Sequence, residues 1–394
     1  MKLIRKASFW RRVIYFCIPI IIISLFLTNL SSDTIEITGI DFIGQATFPS
    51  GTTFQKTAFG GLSGITYDEQ NQLYYAISDD RSEKAPARFY TLKIDLSKGV
   101  LKQDGVVPVE VKLLLDAKNQ NFAPRTVDTE GIALGKPGSV FISSEGDASQ
   151  IINPFIKEFL LASGKEINNL SIPDKFLPSS DIKKGVRNNL ALESLTITPN
   201  KQYLFTATEN ALIQDGTEAK PGVPTSCRIL RYNLTTNQAD KEYLYVTEAV
   251  KPLINITGKY AQGLPDLHAI DNQGHFLSIE RAFTGLGFRI ALFQVSLENA
   301  TDISNIDSLQ ATNTNNIQPV QKKLLLDLRK LDVLLDNIEG LTLGSKLPDG
   351  QPSLILVSDN NFQSIQRTQF LAFRLKTASP LQKLLRRLNF NNNP

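Results

Sequence analysis

The chain has 394 residues, of which 42% are hydrophobic and 21% charged, which is the composition of a folded protein with a large core. Its formal net charge at pH 7 is +3, and five of the positive charges lie within the first twelve residues, so the rest of the chain lacks the basic surface that nucleic-acid binding requires. Two histidines are too few for histidine-based zinc chemistry. Of the two cysteines only Cys227 lies outside the N-terminal apolar segment, so no intrachain disulfide is needed.

The N-terminal segment has the pattern of an export signal. Five basic residues precede an apolar run from Val13 to Leu30, whose length is near the lower limit for crossing a bilayer. The residues after this run form a poor cleavage site, which favours a retained anchor, and a cleaved signal peptide is the alternative. We predict that residues 1–32 form a hydrophobic helix that directs the chain to the periplasm or the extracellular space, or tethers it to the inner membrane.

A repeated pattern runs through the rest of the chain. Five short apolar segments each precede a strand-like run that ends in acidic residues, and they read GLSGITYD, TEGIALG, LESLTITP, PDLHAID and IEGLTLG. The marker positions of these segments are Ser63, Glu130, Glu193, Asp266 and Glu339. They are separated by 67, 63, 73 and 73 residues, and the first four repeats each contain four strand-like runs. Repeats of this length made of strands predict a β-propeller.

We therefore predict an all-β fold, a β-propeller of five four-stranded blades within residues 33–378. The fifth repeat lacks a fourth strand, and a strand-like run from Thr34 supplies one at the opposite end of the sequence. An N-terminal strand would then close the ring and cover two exposed sheet edges. A six-bladed ring with one degenerate blade is the alternative. Residues 379–394 are predicted to form a C-terminal tail.

The propeller would bring the acidic residues of the repeats to one mouth of its central channel. The first strand of each blade lines the channel and the second runs antiparallel to it, so the start of one and the end of the other share a face. Carboxylates in such proximity raise one another's pKa, and a hard divalent cation relieves the repulsion. We predict calcium (Ca2+), with Mg2+ as the alternative. The predicted metal ligands are Asp79, Asp80, Glu145, Glu209, Asp266, Glu280 and Asp359. Each acid could instead be a turn residue that caps a loop.

Other residues near the same mouth could carry out hydrolysis. A carboxylate or an imidazole could accept a proton from water, and arginine beside metal-binding carboxylates can hold a phosphate by paired hydrogen bonds. The predicted catalytic residues are Glu130, Glu193, Glu339 and His268. The predicted substrate-binding residues are Arg81, Lys84, Arg88 and Arg281. The sequence has no G-x-S-x-G, P-loop or H-E-x-x-H motif.

In combination these motifs resemble a known family. Four pairs of segments are similar to the phytase-like domain, described as esterase-like activity of phytase. They are GGLSGITYD with LYYAISDDRSEKAPARFYTLKID, DTEGIAL with VFISSEGD, NLALESLTITPN with YLFTATEN, and NIEGLTL with LILVSDNNF. The resemblance extends from about Phe59 to Leu375. It implies an exported bacterial protein of a kind common in cyanobacteria, and it implies hydrolysis of a phosphoester or a carboxyl ester.

Three functions are compatible with the sequence. We favour an exported or membrane-anchored phytase-like hydrolase that cleaves phosphate esters with a metal ion at the acidic mouth of the channel. The alternatives are a non-catalytic propeller that binds a carbohydrate or protein partner, and a carboxylesterase that uses Ser63 or Ser78. For the favoured function we expect a monomer with a small phosphorylated or ester substrate and no nucleic-acid partner. Contact with a membrane is expected only through an uncleaved N-terminal segment.

Overall fold

The computed structural model describes residues 35–252, 258–285, 287–378 and 382. The chain divides into a main unit, Gly39–Lys376, and a smaller unit formed by its two ends, Met1–Thr38 and Thr377–Pro394. Within the smaller unit the amide of Ala378 donates a hydrogen bond to the carbonyl of Glu36 (3.0 Å). The predicted hydrophobic helix lies outside the described residues, as does almost all of the predicted tail. Among the ranges given above, no helix combines the length and the apolar composition that a membrane crossing requires.

Among its described residues, the main unit forms five four-stranded sheets, the blades of a β-propeller. The strands of blade 1, from the inner to the outer strand, are β4 (Leu62–Asp68), β5 (Leu73–Ser78), β6 (Arg88–Ile94) and β7 (Val106–Leu113). Those of blade 2 are β8 (Thr129–Leu134), β9 (Ser139–Ser144), β10 (Phe155–Leu160) and β11 (Glu166–Leu170). Those of blade 3 are β12 (Leu192–Ile197), β13 (Tyr203–Thr208), β14 (Ser226–Asn233) and β15 (Gln238–Val246).

The last two blades follow the same order. The strands of blade 4 are β16 (Ala261–Ala269), β17 (His275–Phe283), β18 (Phe288–Ser296) and β19 (Gln321–Asp327). Those of blade 5 are β20 (Asn337–Lys346), β21 (Pro352–Asp359), β22 (Arg367–Thr377) and, outermost, β1 (Ile37–Pro49). A two-stranded sheet pairs β2 (Thr53–Phe54) with β3 (Thr57–Ala58). The described 3-10 helices are Ala148–Gln150, Asp174–Phe176, Thr314–Asn316 and Leu328–Lys330.

The inner strands form the ring. Strands β4, β8, β12, β16 and β20 contact one another in this order, and β20 contacts β4 in turn. The prediction of five four-stranded blades is therefore confirmed, and the six-bladed alternative is wrong. Each inner strand is antiparallel to the second strand of its blade, so the start of the first and the end of the second lie on one face of the ring.

Aromatic side chains fill the space between neighbouring blades. Phe205 of blade 3 and Phe276 of blade 4 are both buried, and their rings meet edge to face with centroids 4.9 Å apart. Tyr245 and Phe293 belong to the same buried cluster. Because each blade lies between two others, the second strands are buried on both faces, which explains why β13 and β21 read as nearly continuous apolar and β-branched runs.

At one position the inner strands approach one another closely, and blades 1, 2 and 5 have a glycine there. A Cβ atom added to Gly131 would lie 2.7 Å from the carbonyl oxygen of Glu193, and one added to Gly340 would lie 2.9 Å from that of Ser63. The strand pairing puts Asp266 of blade 4 in this position, because it lies opposite Ile279 as Gly340 lies opposite Val357. The sequence alignment that matched Asp266 with the marker residues of the other repeats was therefore wrong by one residue.

Asp266 serves as a connection between inner strands. Its carboxylate accepts hydrogen bonds from the amide of Leu267 (2.8 Å) and from the amide of Leu341 in the neighbouring blade (2.7 Å). Burial raises the pKa of Asp266 well above its usual range, and hydrogen bonds from backbone amides act against this effect. The side chain predicted to be a metal ligand thus has its oxygen atoms occupied by the backbone of the ring.

Candidate functional site

Five equivalent positions lie at one mouth of the channel, where the second strand of each blade passes the start of the first. In blades 1 to 3 the residues at these positions are Asp79, Glu145 and Glu209. Their amides donate hydrogen bonds to the carbonyls of Gly61, Asp128 and Ala191, respectively. In blades 4 and 5 the corresponding strand pairs are Arg281 with Gly263 and Asp359 with Asn337. The five equivalent residues, in blade order, are Asp79, Glu145, Glu209, Arg281 and Asp359. Four blades therefore supply an acid at this position and blade 4 supplies an arginine.

A second set of acids comes from the first strands. Glu193 and Glu339 lie where the pairing with the second strand shifts by one residue, and Glu130 lies within the corresponding shift of blade 2. Such bulges turn a side chain away from the regular alternation of the strand. All three glutamates are at most 8% exposed, and all three line a pocket of about 500 Å³. The marker residues of the sequence repeats are thus pocket residues in three of the five blades.

The pocket has walls of two kinds. Its acidic and basic lining residues are Asp79, Glu130, Glu193, Lys259, Arg281, Glu339 and Asp359. Its apolar lining residues are Ala261, Phe283, Phe288 and Ile365. The amide-bearing residues are Asn189, Asn337, Asn361 and Gln366. A site of this size with a few polar groups against an apolar wall is typical of a pocket for a small molecule.

Five carboxylates from blades 1 to 3 form the acidic cluster: Asp79, Asp128, Glu130, Glu145 and Glu193. One oxygen atom each of Asp79, Asp128 and Glu130 lie within 4.8 Å of one another. The same holds for Glu130, Glu145 and Glu193, so Glu130 belongs to both groups. Burial, and then the charges of Asp79 and Glu193, raise the pKa of Glu130 well above its usual range. Burial, followed by Asp128, raises the pKa of Glu145 to about 8.

Three oxygen atoms of the acidic cluster have no hydrogen-bond partner among the described residues, and one of them, Oδ2 of Asp128, lies 2.5 Å from Nη2 of Arg81. Glu145 is 3% exposed, and while its Oε1 accepts a short hydrogen bond from the amide of Ala191, its Oε2 has no hydrogen-bond partner among the described residues. Asp128 is 1% exposed, and its Oδ1 likewise finds no donor in the described part of the chain. Buried acceptors in this state are costly, and oxygen atoms grouped in this way suit Ca2+ or Mg2+.

The opposite side of the pocket is organised around Arg281. Its Nη2 lies 2.6 Å from Oε1 of Glu209, and its Nη1 donates to Oδ1 of Asn337 (3.0 Å) and lies 3.5 Å from Oε1 of Glu339. We refer to these four residues as the Arg281 group. Burial raises the pKa of Glu339 to about 7 even though Arg281 acts against it. Gly263 makes room for the group, because a Cβ atom there would lie 2.3 Å from Cγ of Glu209.

Arg81, predicted to bind substrate, forms an ion pair with Asp128 at the edge of the acidic cluster. One of its nitrogen atoms, Nη2, lies 2.5 Å from Oδ2 of Asp128 and 2.6 Å from Oδ1 of Asn189. Lys84, from the same predicted set, lies over the ring of Phe362, with Nζ 5.1 Å from the ring centre. Both residues are near the mouth, but each already contacts a neighbouring residue: Arg81 contacts Asp128, and Lys84 contacts Phe362.

Three further predicted residues belong to buried ion pairs away from the pocket. Asp80 and Arg88 contact each other, and Asp80 also accepts hydrogen bonds from the amide of Glu83 (2.9 Å) and from that of Lys84 (3.2 Å). Glu280 contacts Lys322 and accepts hydrogen bonds from Tyr245 (2.9 Å) and from a backbone amide. In each case the carboxylate stabilises a loop or a strand. Acids that cap turns and acids that form the site look alike in the sequence.

His268, predicted as an acid or base, lies further along β16, beyond Asp266 and apart from the pocket. Its Nε2 faces the amide of Leu343 at 3.4 Å. Burial, and then the charge of Lys201, lowers the pKa of His268 to about 4. The imidazole is therefore neutral at physiological pH and packed within the ring.

This environment predicts a pH dependence of stability. The unfolded chain protonates His268 near pH 6.5, whereas the folded protein does so only near pH 4, so the stability conferred by the neutral ring is lost as the pH falls between these values. We expect the free energy of unfolding, measured by urea titration, to fall by about 3 kcal/mol more in the wild type than in His268→Gln between pH 7 and pH 4. His275→Gln is the control, and an equal pH response in both variants would contradict the assignment.

Several residues of the pocket and of the acidic cluster were not predicted. Asp128 and Asn337 each stand two residues before a marker glutamate, so a comparison of the repeats at that position could have found them. Asn189 precedes β12 in a loop without a recognisable pattern. Phe283 and Phe288 look like ordinary strand residues, because an aromatic side chain in a sheet is most often part of the core.

The comparisons with known proteins give one family. A family model described as "Phytase-like: Esterase-like activity of phytase" matches residues 57–362, which is more than half of the chain. No curated protein sequence matches the chain.

Solved structures that are similar include the endo-arabinase from Bacteroides thetaiotaomicron VPI-5482, with 10% identity, 86% of this chain and 98% of that chain covered, and a TM-score of 0.43. The GH43_1 enzyme from Xanthomonas citri has 10% identity, 84% and 93% coverage and a TM-score of 0.44. The Dos1 propeller has 6% identity, 79% and 68% coverage and a TM-score of 0.33.

Proposed function

The chain belongs to the family described as esterase-like activity of phytase, and from this premise we propose that it is a hydrolase that cleaves phosphate esters in the pocket with the help of a divalent cation. The observation that carries the proposal is the position of Glu130. This carboxylate belongs to both groups of close acidic oxygen atoms and lines the same pocket as Arg281. Cation-binding oxygen atoms and a guanidinium in one pocket suit a phosphate, which carries negative charge on several oxygen atoms.

The acidic cluster supplies the residues that would hold the cation: Asp79, Asp128, Glu130, Glu145 and Glu193. All donors are carboxylate oxygens, which favours Ca2+, with Mg2+ as the alternative. Two of these carboxylates have a buried oxygen atom without a donor in the described part of the chain, as a site for a cation requires. When bound, the cation would offset the negative charge of the cluster and polarise the phosphate.

The Arg281 group supplies the remaining functions. Glu339 has a pKa of about 7, so near neutral pH its carboxylate can accept a proton from water. The water oxygen forms a bond to phosphorus, the ester P–O bond breaks, and the proton that Glu339 accepted passes to the departing alcohol oxygen. Arg281 places its positive charge against the pocket, where negative charge on the phosphate oxygens needs compensation.

The carboxylesterase alternative has less support. Ser63 Oγ donates a hydrogen bond to the carbonyl of Glu130 (3.0 Å), and Ser78 Oγ donates to the carbonyl of Gly60 (2.8 Å). Both hydroxyl groups are buried and engaged with the backbone. A nucleophilic serine needs a base within hydrogen-bond reach instead.

We also infer that β1 closes the ring. It is the outermost strand of the sheet whose other strands come from the C-terminal part of the chain, and it pairs with β22. A closed ring would fix the strand ends that carry the carboxylates. Export through residues 1–32 remains a proposal from the sequence alone, since that segment lies outside the described residues.

The test uses the full chain and a phosphomonoester. Wild-type turnover is expected to require Ca2+ or Mg2+ and to stop on chelation, and Ca2+ is expected to raise the melting temperature. Glu130→Gln removes the carboxylate shared by both groups and is expected to lower kcat by about 10²-fold or more and to abolish the calcium-induced rise. Glu69→Gln, an exposed acid on a hairpin, is the control. Turnover by Glu130→Gln at the wild-type rate would overturn the proposal.

A further inference from the structure

We propose that the substrate is a phosphate ester with few phosphate groups and an apolar alcohol group, bound with its phosphate near Arg281 and its alcohol group against an aromatic wall. This inference rests on the proposed function and specifies its substrate class. It follows from the apolar wall, from the limited positive charge of the pocket, and from the order of residues along β17. A densely phosphorylated polyol is the substrate class that these features disfavour.

The apolar wall consists of Ala261, Phe283, Phe288 and Ile365. Phe283 and Phe288 lie opposite each other in the pairing of β17 with β18, and their ring centroids are 5.3 Å apart at an angle of 53°. Ala261 pairs with Phe283 from the other side. Ile365 is 94% exposed. Large apolar groups that face a pocket gain free energy when a ligand covers them, so this wall favours an apolar ligand group.

The positive charge of the pocket is small. Its lining includes five carboxylates and two basic residues, Arg281 and Lys259. Arg281 is already paired with Glu209, at 2.6 Å. Near the same mouth, Arg81 is held by Asp128 and Lys84 lies over Phe362. Each additional phosphate group of a substrate needs positive charge to offset it, and the pocket offers enough for one or two.

The order of residues along β17 places the positive charge of Arg281 next to the apolar wall. Arg281 and Phe283 are two residues apart on a regularly paired strand, so their side chains point to the same face, about 7 Å apart along the strand. Both line the pocket. An ester whose phosphate lies beside Arg281 therefore has its alcohol group beside the aromatic pair. The pocket volume of about 500 Å³ accommodates a phosphate and a ring together.

The experiment compares benzyl phosphate with glycerol 1-phosphate in the full chain with Ca2+, since both esters have alkyl leaving groups. Benzyl phosphate is expected to have a kcat/KM about 10- to 100-fold higher, and inositol hexakisphosphate the lowest of the three. Dodecyl phosphate, a long-chain ester, shows whether the apolar group comes from a small aromatic ester or from an amphiphile. A preference for either polar ester over both apolar ones would overturn the inference.

Two variants test whether the preference for an apolar ester depends on Phe283 and Phe288. Phe283→Ala and Phe288→Ala are expected to lower kcat/KM for benzyl phosphate about tenfold or more and to lower that for glycerol 1-phosphate much less. Phe122→Ala, which removes a partly buried aromatic ring that packs against Phe155 of blade 2, is the matched control. An equal loss for both esters in Phe283→Ala and Phe288→Ala would mean that the pair only supports the fold, and the inference would be wrong.

The failure of this inference can be distinguished from that of the proposed function. If no phosphate ester is turned over, the proposed function is wrong. Binding of benzylphosphonate and methylphosphonate, measured by calorimetry, then still decides the substrate preference, because neither compound must be hydrolysed. Equal affinity for the two phosphonates would contradict an aromatic subsite, and tighter binding of benzylphosphonate that is lost in Phe283→Ala would support it.

Discussion

Replacing Arg228 by methionine is expected to lower the free energy of unfolding by about 3–5 kcal/mol. Arg228 lies in β14 and is completely buried. Its Nε and Nη2 donate to the two carboxylate oxygens of Asp215 (2.6 and 2.9 Å), and its Nη1 donates to Glu242 (2.7 Å). Methionine fills much of the same space but leaves two buried carboxylates without their cation, which is the costly way to break a buried ion pair.

The same cluster connects two long insertions to blade 3. Asp215 comes from the loop between β13 and β14, and its Oδ1 also accepts a hydrogen bond from the amide of Leu309 (2.9 Å) in the loop between β18 and β19. Glu242 lies 3.3 Å from Nζ of Lys175, which donates to the carbonyl of Ser304 (2.5 Å). Loss of Arg228 is therefore expected to release both loops, and not only the strand to which it belongs.

Urea unfolding of the wild type, Arg228→Met and Arg231→Met measures this effect. Arg231 pairs with Asp240 in the same two strands, but both side chains are partly exposed, so its replacement is expected to cost less than about 1 kcal/mol. A variant in which Asp215 and Glu242 are also replaced, by Asn and Gln, should recover part of the lost stability. An equal loss in the free energy of unfolding in Arg228→Met and Arg231→Met would contradict the prediction that the buried cluster contributes more stability than the partly exposed ion pair.

The fold could be predicted because a propeller repeats its sequence pattern. Blades 1, 2 and 5 have a glycine where the inner strands approach, and four blades have an acid where the second strand passes the mouth, so Gly131, Gly340 and Glu209 have counterparts in register. The Arg228 cluster could not be predicted in the same way. Asp215 belongs to a loop outside the repeated pattern, and Glu242 lies in β15, 27 residues further along the chain.

The site could be predicted only in part because bulges carry no sequence signal. Alternation of apolar and polar residues shows which residues face a blade interior, but it does not show where the pairing shifts. In blade 4 the shift lies between Gly263 and Asp266, which moved the predicted alignment by one residue. Glu280 was predicted because the second strand-like run of this repeat ends in an acid there, but the strand pairing puts Arg281 in the equivalent position. The one basic member of the five equivalent positions was in this way taken for an additional residue beside an acidic set.

Replacing Arg281 by glutamine is expected to reduce both turnover and stability. Arg281 lies between Glu209 and Glu339, and it opposes the rise in the pKa of each that burial causes. Without it, two buried carboxylates lose their cation beside a cluster that already contains five more acids. We expect the free energy of unfolding to fall by about 3–5 kcal/mol and kcat for a phosphomonoester to fall by about 10²- to 10³-fold.

A second substitution separates the two effects. In Arg281→Gln with Glu209→Gln the number of uncompensated carboxylates falls by one, so most of the lost stability should return, while turnover should stay low because no guanidinium faces the phosphate. Arg289→Gln, whose partner Asp327 also contacts Arg329, is the control and should change stability by less than about 1 kcal/mol. Recovery of turnover together with stability in the double variant would show that Arg281 balances charge within the ring and does not act on the substrate.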